Sequence, residues 1–179
     1  MVELEEGGFD EWLEELQDNM AYGWLTDLVT TDDDGEIVAQ AIRDGTAVAV
    51  SDGSFKNAFG TASWALQGED EEGEIKGRCC VPGPTDWQSA YRSETCGLLG
   101  SIYCATHLAR SKGITAGKIR VGCDGLSALN QLRNHKVTVS PLQKHFDLIS
   151  AIRRLIRESP IEIELFHVKG HQDDILYAN

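Results

Sequence analysis

No apolar run in this 179-residue chain approaches the length needed to cross a bilayer. Its acidic beginning lacks the basic-then-apolar order of a signal peptide, so no membrane partner is expected. Cysteines are few and odd in number, five in all (Cys79, Cys80, Cys96, Cys104, Cys123), and form no C-x-x-C pair. That argues against a disulfide framework or a zinc site and suits a reducing compartment. The expected location is intracellular, cytoplasmic or nuclear. Basic residues are almost missing from the first 45 positions, which hold 14 acidic residues and only Arg43. The net charge of −13 is therefore local, because residues 75–169 hold 14 basic and 7 acidic residues. The body of the chain is mildly basic, which permits phosphate contact.

What is present divides into an acidic helical arm, 1–44, and a domain over 45–179. In the arm, Phe9, Trp12, Leu13, Leu16 and Met20 recur at helical spacing with acids opposite. The run Asp32-Asp33-Asp34-Gly35 has Thr30 and Ala41 where an EF-hand needs carboxylates, so it reads as a solvated turn. From Thr46 the pattern becomes strand-like: 46–52, 60–66 and about 74–81, closed by Pro82-Gly83-Pro84, form an antiparallel meander. A helix follows from near Ser89 to Arg110, in which Gly97, Gly100 and Ser101 allow close approach to a sheet. A strand at 118–123, helices at 127–133 and 141–158, and a strand at 161–168 complete the chain. Helical crossovers make the last two strands parallel. The expected fold is α/β, with a mixed five-stranded sheet, antiparallel in strands one to three and parallel in four and five, and flanking helices.

Four residues stand out against this frame. Val48, Val50 and Asp52 alternate on one face of the first strand, which reads as covered on both sides. Asp52-Gly53 is also an ordinary hairpin signal. Glu94 leads the apolar stripe Leu98, Ile102, Ala105 and Ala109, although a glutamate there also suits the helix dipole. Asp124 ends the fourth strand, and His171 follows the fifth. Ligands of α/β sheets bind outside the carboxyl ends of strands, where Asp52 and Asp124 would arrive together. Three carboxylates within ~4 Å repel by roughly 4 kcal/mol per pair at an effective dielectric near 20. Hard divalent cations, Mg²⁺ or Mn²⁺, turn that repulsion into binding. His107, His135, His145 and His167 show no ligand spacing and read as helix-surface or strand-end residues.

The motifs Val50-Ser51-Asp52-Gly53-Ser54, Tyr91-Arg92-Ser93-Glu94, Cys123-Asp124-Gly125-Leu126-Ser127 and Val168-Lys169-Gly170-His171, in this order, resemble those of a ribonuclease H domain. Within that family the chain is similar to domains attached to retroelement reverse transcriptases. The resemblance covers about 46–174. It implies an endoribonuclease that cleaves the RNA strand of RNA–DNA hybrids by two-metal-ion hydrolysis. It also implies two Mg²⁺ or Mn²⁺ ions on Asp52, Glu94 and Asp124, with His171 assisting proton transfer or product departure. Substrate contacts are implied near Gly53, Ser54, Lys56 and Asn57, and phosphate contacts at Arg92, Lys136 and Lys169, although on its own each basic residue reads first as an ordinary solvated side chain. The implied partners are a hybrid and a reverse transcriptase domain of the same polyprotein. The family carries a fourth carboxylate on a helix well downstream of the loop histidine. This sequence stops at Asn179, so a C-terminal truncation is expected, with Asp174 (or Asp173) the available substitute. The alternative is a catalytically impaired domain of the same fold that binds nucleic acid or a polymerase.

Overall fold

The computed structural model describes residues 8–68, 73–134 and 140–169. Helix α1 (Phe9–Gln17) leads through a 3₁₀ turn (Gly23–Leu25) to a two-residue strand β1 (Thr30–Thr31) and helix α2 (Glu36–Asp44). Strands β2 (Ala47–Lys56), β3 (Phe59–Gln67) and β4 (Ile75–Cys80) follow, then α3 (Ala90–Ser111), β5 (Lys118–Cys123), α4 (Leu126–Arg133), α5 (Phe146–Glu158) and β6 (Glu162–His167). The sheet order is β1-β4-β3-β2-β5-β6. Strands β2, β3 and β4 pair antiparallel, while β5 runs parallel to both β2 and β6.

The expected α/β mixed sheet is therefore present, with a correction in strand number. A sixth strand, β1, pairs antiparallel with the outer side of β4 through Thr30 and Lys76. Two residues carry no periodicity, so it was not readable in advance. The run Asp32-Asp33-Asp34 is a turn with Asp32 exposed, as expected, but its other two carboxylates are engaged. Asp33 accepts from the amides of Gly35 and Ile37, and Asp34 accepts from the Asp10 amide and from Lys112. Phe9, Leu13, Leu25, Val38 and Ile42 join the same buried cluster as Leu98, Ile102 and Leu108 of α3.

Helix α3 lies on one face of the sheet at short range. A β-carbon at Gly100 would stand 2.4 Å from the Trp64 ring, and one at Gly97 would stand 3.1 Å from Ser51. Ala47 and Ala49 of β2 face this core. Val48, Val50 and Asp52 point the other way, and Val50 is 42% exposed. The expectation that this strand is covered on both faces fails for that reason: the small alanines, not the valines, meet the helix. Helix α5 also starts later than expected. His145 has φ +71°, outside helical space, and Leu142 is 96% exposed rather than part of the apolar stripe.

Among the described residues, no helix is long and apolar enough to cross a membrane.

Candidate active site

Parallel pairing of β2 with β5 aligns Val50 with Gly122. Asp52 follows two residues on, inside β2, which runs past its expected end at 52 to Lys56, and Asp124 stands one residue beyond the end of β5, so both lie just past the point where the parallel pairing stops. Glu94 reaches the same edge from the second turn of α3. The helix start is fixed by Ser89, whose hydroxyl accepts from the Arg92 amide at 3.0 Å. Gly53 and Gly125 let these elements close. A β-carbon at Gly53 would stand 2.3 Å from the Glu94 amide nitrogen, and one at Gly125 would stand 2.6 Å from the Glu94 carboxylate.

Asp52, Glu94 and Asp124 line one cavity of about 1180 Å³ on the open side of the sheet, together with Ser63, Lys76, Arg78, Val168 and Lys169. Burial pushes the Glu94 carboxyl above its ordinary range, and the charges of Asp124 and Asp52 add to the rise. One oxygen of Asp124, Oδ1, is buried without a hydrogen-bond partner. The end of β6 braces this corner: His167 Nε2 lies 3.1 Å from the Asp124 carbonyl oxygen, and the Val168 amide donates to Cys123 at 2.9 Å. Among the described residues, no three acidic, histidine or cysteine side chains form a closed ligand set. The three carboxylates share a cavity and a field. Their chemistry still fits hard cations: oxygen donors, a buried unpaired carboxylate oxygen and a mutual repulsion that positive charge relieves.

The other expected site residues divide. Gly53 backs the site structurally, whereas Ser54, Lys56 and Asn57 are exposed along the β2–β3 hairpin. His171, Asp173, Asp174 and Lys136 lie outside the described residues. Arg92 is no phosphate contact. It is 0% exposed, donates to Asp147 at 2.9 and 2.7 Å and to the Pro82 carbonyl at 2.8 Å, and lies over Trp87. His107 is no surface residue either: its ring accepts from Trp12 Nε1 at 3.0 Å. Sequence reading missed Ser63, Lys76 and Arg78. The β3–β4 register would have found them, since alternate residues of both strands share the face of Asp52.

No family model and no curated protein matches the sequence. Solved structures do match. The N-terminal RNase H domain of a Mycobacterium tuberculosis protein, determined as a fusion with maltose binding protein, has a TM-score of 0.52 at 13% identity, over 73% of this chain and 86% of that one. RNase H1 from the halophilic archaeon Halobacterium salinarum has a TM-score of 0.52 at 15% identity, over 73% and 90%. LC11-RNase H1, determined in complex with an RNA/DNA hybrid, has a TM-score of 0.51 at 11% identity, over 71% and 88%. The class this architecture defines is the ribonuclease H fold. At these identities the likeness is one of fold, and the activity is argued from the site.

Proposed function

We propose that the chain is a metal-dependent endoribonuclease acting on the RNA strand of RNA–DNA hybrids. The observation that carries this reading is the meeting of Asp52, Glu94 and Asp124, from three distant elements, along one cavity. These residues would hold two Mg²⁺ or Mn²⁺ ions, which when bound supply an activated water and charge stabilisation at the leaving oxygen. The residues themselves do the positioning. Gly53 and Gly125 hold the carboxylates at close range, and His167 and Val168 fix the end of β5 beside β6. Lys169 on the cavity wall offers a cation for phosphate. Ser54, Lys56 and Asn57 are our candidates for sugar and backbone contacts along the hairpin, where shape and 2′-hydroxyls rather than base edges distinguish the RNA strand.

The finer assignment we propose is a retroelement reverse-transcriptase-associated domain. Its body spans 45–179 after an acidic helical arm, 1–44, His171 and Asp174 complete the site, and a reverse transcriptase domain is a partner. It rests on the four motifs and their order. The second reading is a domain that binds hybrid without turnover, and it is favoured by the lack of a closed three-ligand set among the described residues.

Cleavage of a 5′-labelled hybrid in Mg²⁺ and in Mn²⁺, beside Asp124→Asn, tests the proposal. Metal-dependent cuts in the RNA strand that Asp124→Asn abolishes are expected. Binding without cuts in either metal selects the second reading.

A further inference from the structure

The register of the sheet sets three side chains in a row on its open face. Asp52 pairs with Ser63, and Ser63 pairs with Arg78. Strands lie about 4.8 Å apart, so the Cα atoms of Arg78 and Asp52 are roughly 10 Å apart across the sheet. An arginine side chain spans much of that gap. All three residues line the cavity of about 1180 Å³ that holds Glu94 and Asp124. Ser63 between them is small, so the row is a trough rather than a ridge.

Charge is arranged along this trough. The register puts Arg78 and Lys76 on β4, two strands away from Asp52, and the lining beside β4 also includes one further carboxylate, Asp27. Lys76 is already paired with Glu74 at 3.0 Å. Arg78 is exposed and makes no ion pair with any other described residue. A guanidinium held beside a divalent-cation site, on a surface open to solvent, matches a polyanion with regularly spaced charges. A lone metabolite phosphate at the carboxylates would leave it unused.

We infer that one nucleic-acid strand crosses the open sheet face along the row Asp52–Ser63–Arg78, with Arg78 binding a backbone phosphate next to the one held at the carboxylates. The inference rests on the hybrid-nuclease reading and adds a binding residue and a direction of travel to it. Because phosphates are alike in every sequence, Arg78 contributes affinity and salt dependence without base preference.

The test is binding of a fluorescein-labelled RNA–DNA hybrid in Ca²⁺ across a salt series, for the wild-type chain, Arg78→Gln and Arg154→Gln. Arg154, on α5, pairs with Glu158 and lies away from the cavity. One lost phosphate contact lowers the slope of log affinity against log salt by about 0.9 and weakens binding about three- to tenfold at moderate salt. That change in Arg78→Gln alone, with an unaltered melting curve, supports the inference. A slope equal to wild type in Arg78→Gln overturns it and leaves the nuclease reading standing. A wild-type chain that binds no hybrid at any salt overturns both.

Discussion

Gly53 lies against the backbone of Glu94 so closely that a β-carbon on it would stand 2.3 Å from the Glu94 amide nitrogen and 2.8 Å from its Cα. Backbone cannot swing aside as a side-chain tip can, so even alanine must push β2 away from α3. Gly53→Ala is expected to cost about 1–3 kcal/mol, the range of core overpacking. It should also weaken Mn²⁺ binding, because Asp52 and Glu94 sit on the two elements being separated. Urea denaturation with and without Mn²⁺ checks both effects. An unchanged midpoint would mean that the contact relaxes freely.

The Glu94 carboxyl, held above its ordinary range by burial and by the Asp124 and Asp52 charges, marks a site under electrostatic stress. Removing one charge should relieve it. Asp124→Asn is expected to be slightly more stable than wild type in EDTA, by about 1 kcal/mol or less once solvent screening is counted. In excess Mn²⁺ the order should reverse, because only the wild type gains binding energy on folding. Paired thermal melts in EDTA and Mn²⁺ report the crossover. A variant less stable in both would argue that Asp124 serves the fold rather than cations.

Much of this arrangement was legible in the chain. Alternation and turn residues located all five long strands, and Glu94 and Asp124 followed from a helix start and a strand end, whereas Asp52 lies inside β2, which runs on to Lys56 instead of stopping at 52. The failures have physical causes. Val48 and Val50 look like buried residues, but which face of β2 meets α3 depends on where Gly97 and Gly100 bring the helix, and alternation alone cannot choose. Arg92 reads as a surface cation until Asp147, 55 positions away, is known to receive it. Pro141 looks like a helix start, yet the left-handed backbone at His145 delays α5. His107 sits on a helix whose buried residues surround its whole circumference, so no periodic surface was there to read.

Trp12 ties α1 to α3 by donating its Nε1–H to His107 Nδ1. That bond needs a neutral ring. Burial lowers the His107 pKa from 6.5 to about 4, with the Arg110 charge adding to the fall. A group whose folded pKa is depressed contributes stability above its unfolded value and loses it as pH falls. The stabilisation should therefore decline between pH 6.5 and about 4. Melting temperature across that window is expected to fall for wild type and to flatten for His107→Gln. Equal profiles would remove His107 from the account.

Arg92 and Asp147 give a second pH signature at lower pH. Burial pushes the Asp147 carboxyl up, but the hydrogen bonds and charge of Arg92 outweigh it and hold the group below its ordinary range. The pair thus stabilises the fold above the ordinary carboxylate range and loses that contribution as acid titrates Asp147. Asp147→Asn leaves a fully buried guanidinium short of its charge partner and is expected to cost about 2 kcal/mol near neutrality, below the fully buried case because Asp147 is half exposed. The gap between wild type and variant should close on acidification. The double change Arg92→Met, Asp147→Leu should cost less than Asp147→Asn alone, because it leaves no buried charge behind.

The β2–β3 hairpin supplies a prediction of opposite sign. Lys56 pairs with Phe59, so Asn57 and Ala58 alone make the turn, with φ of +52° and +65°. Both angles belong to a two-residue turn whose twist suits antiparallel strands. Asn tolerates that region, but alanine pays a β-carbon clash of about 1–2 kcal/mol there. Glycine removes the clash and gives back part of the gain through the greater freedom of the unfolded chain, about 0.4–1 kcal/mol. Ala58→Gly should therefore stabilise the protein by about 0.5–1 kcal/mol in urea titrations. Because the turn lies beyond Ser54 and Lys56, its hybrid affinity then separates two roles. Unchanged affinity means that the hairpin binds as it stands, and weaker affinity means that the strained turn presents Asn57 to the substrate.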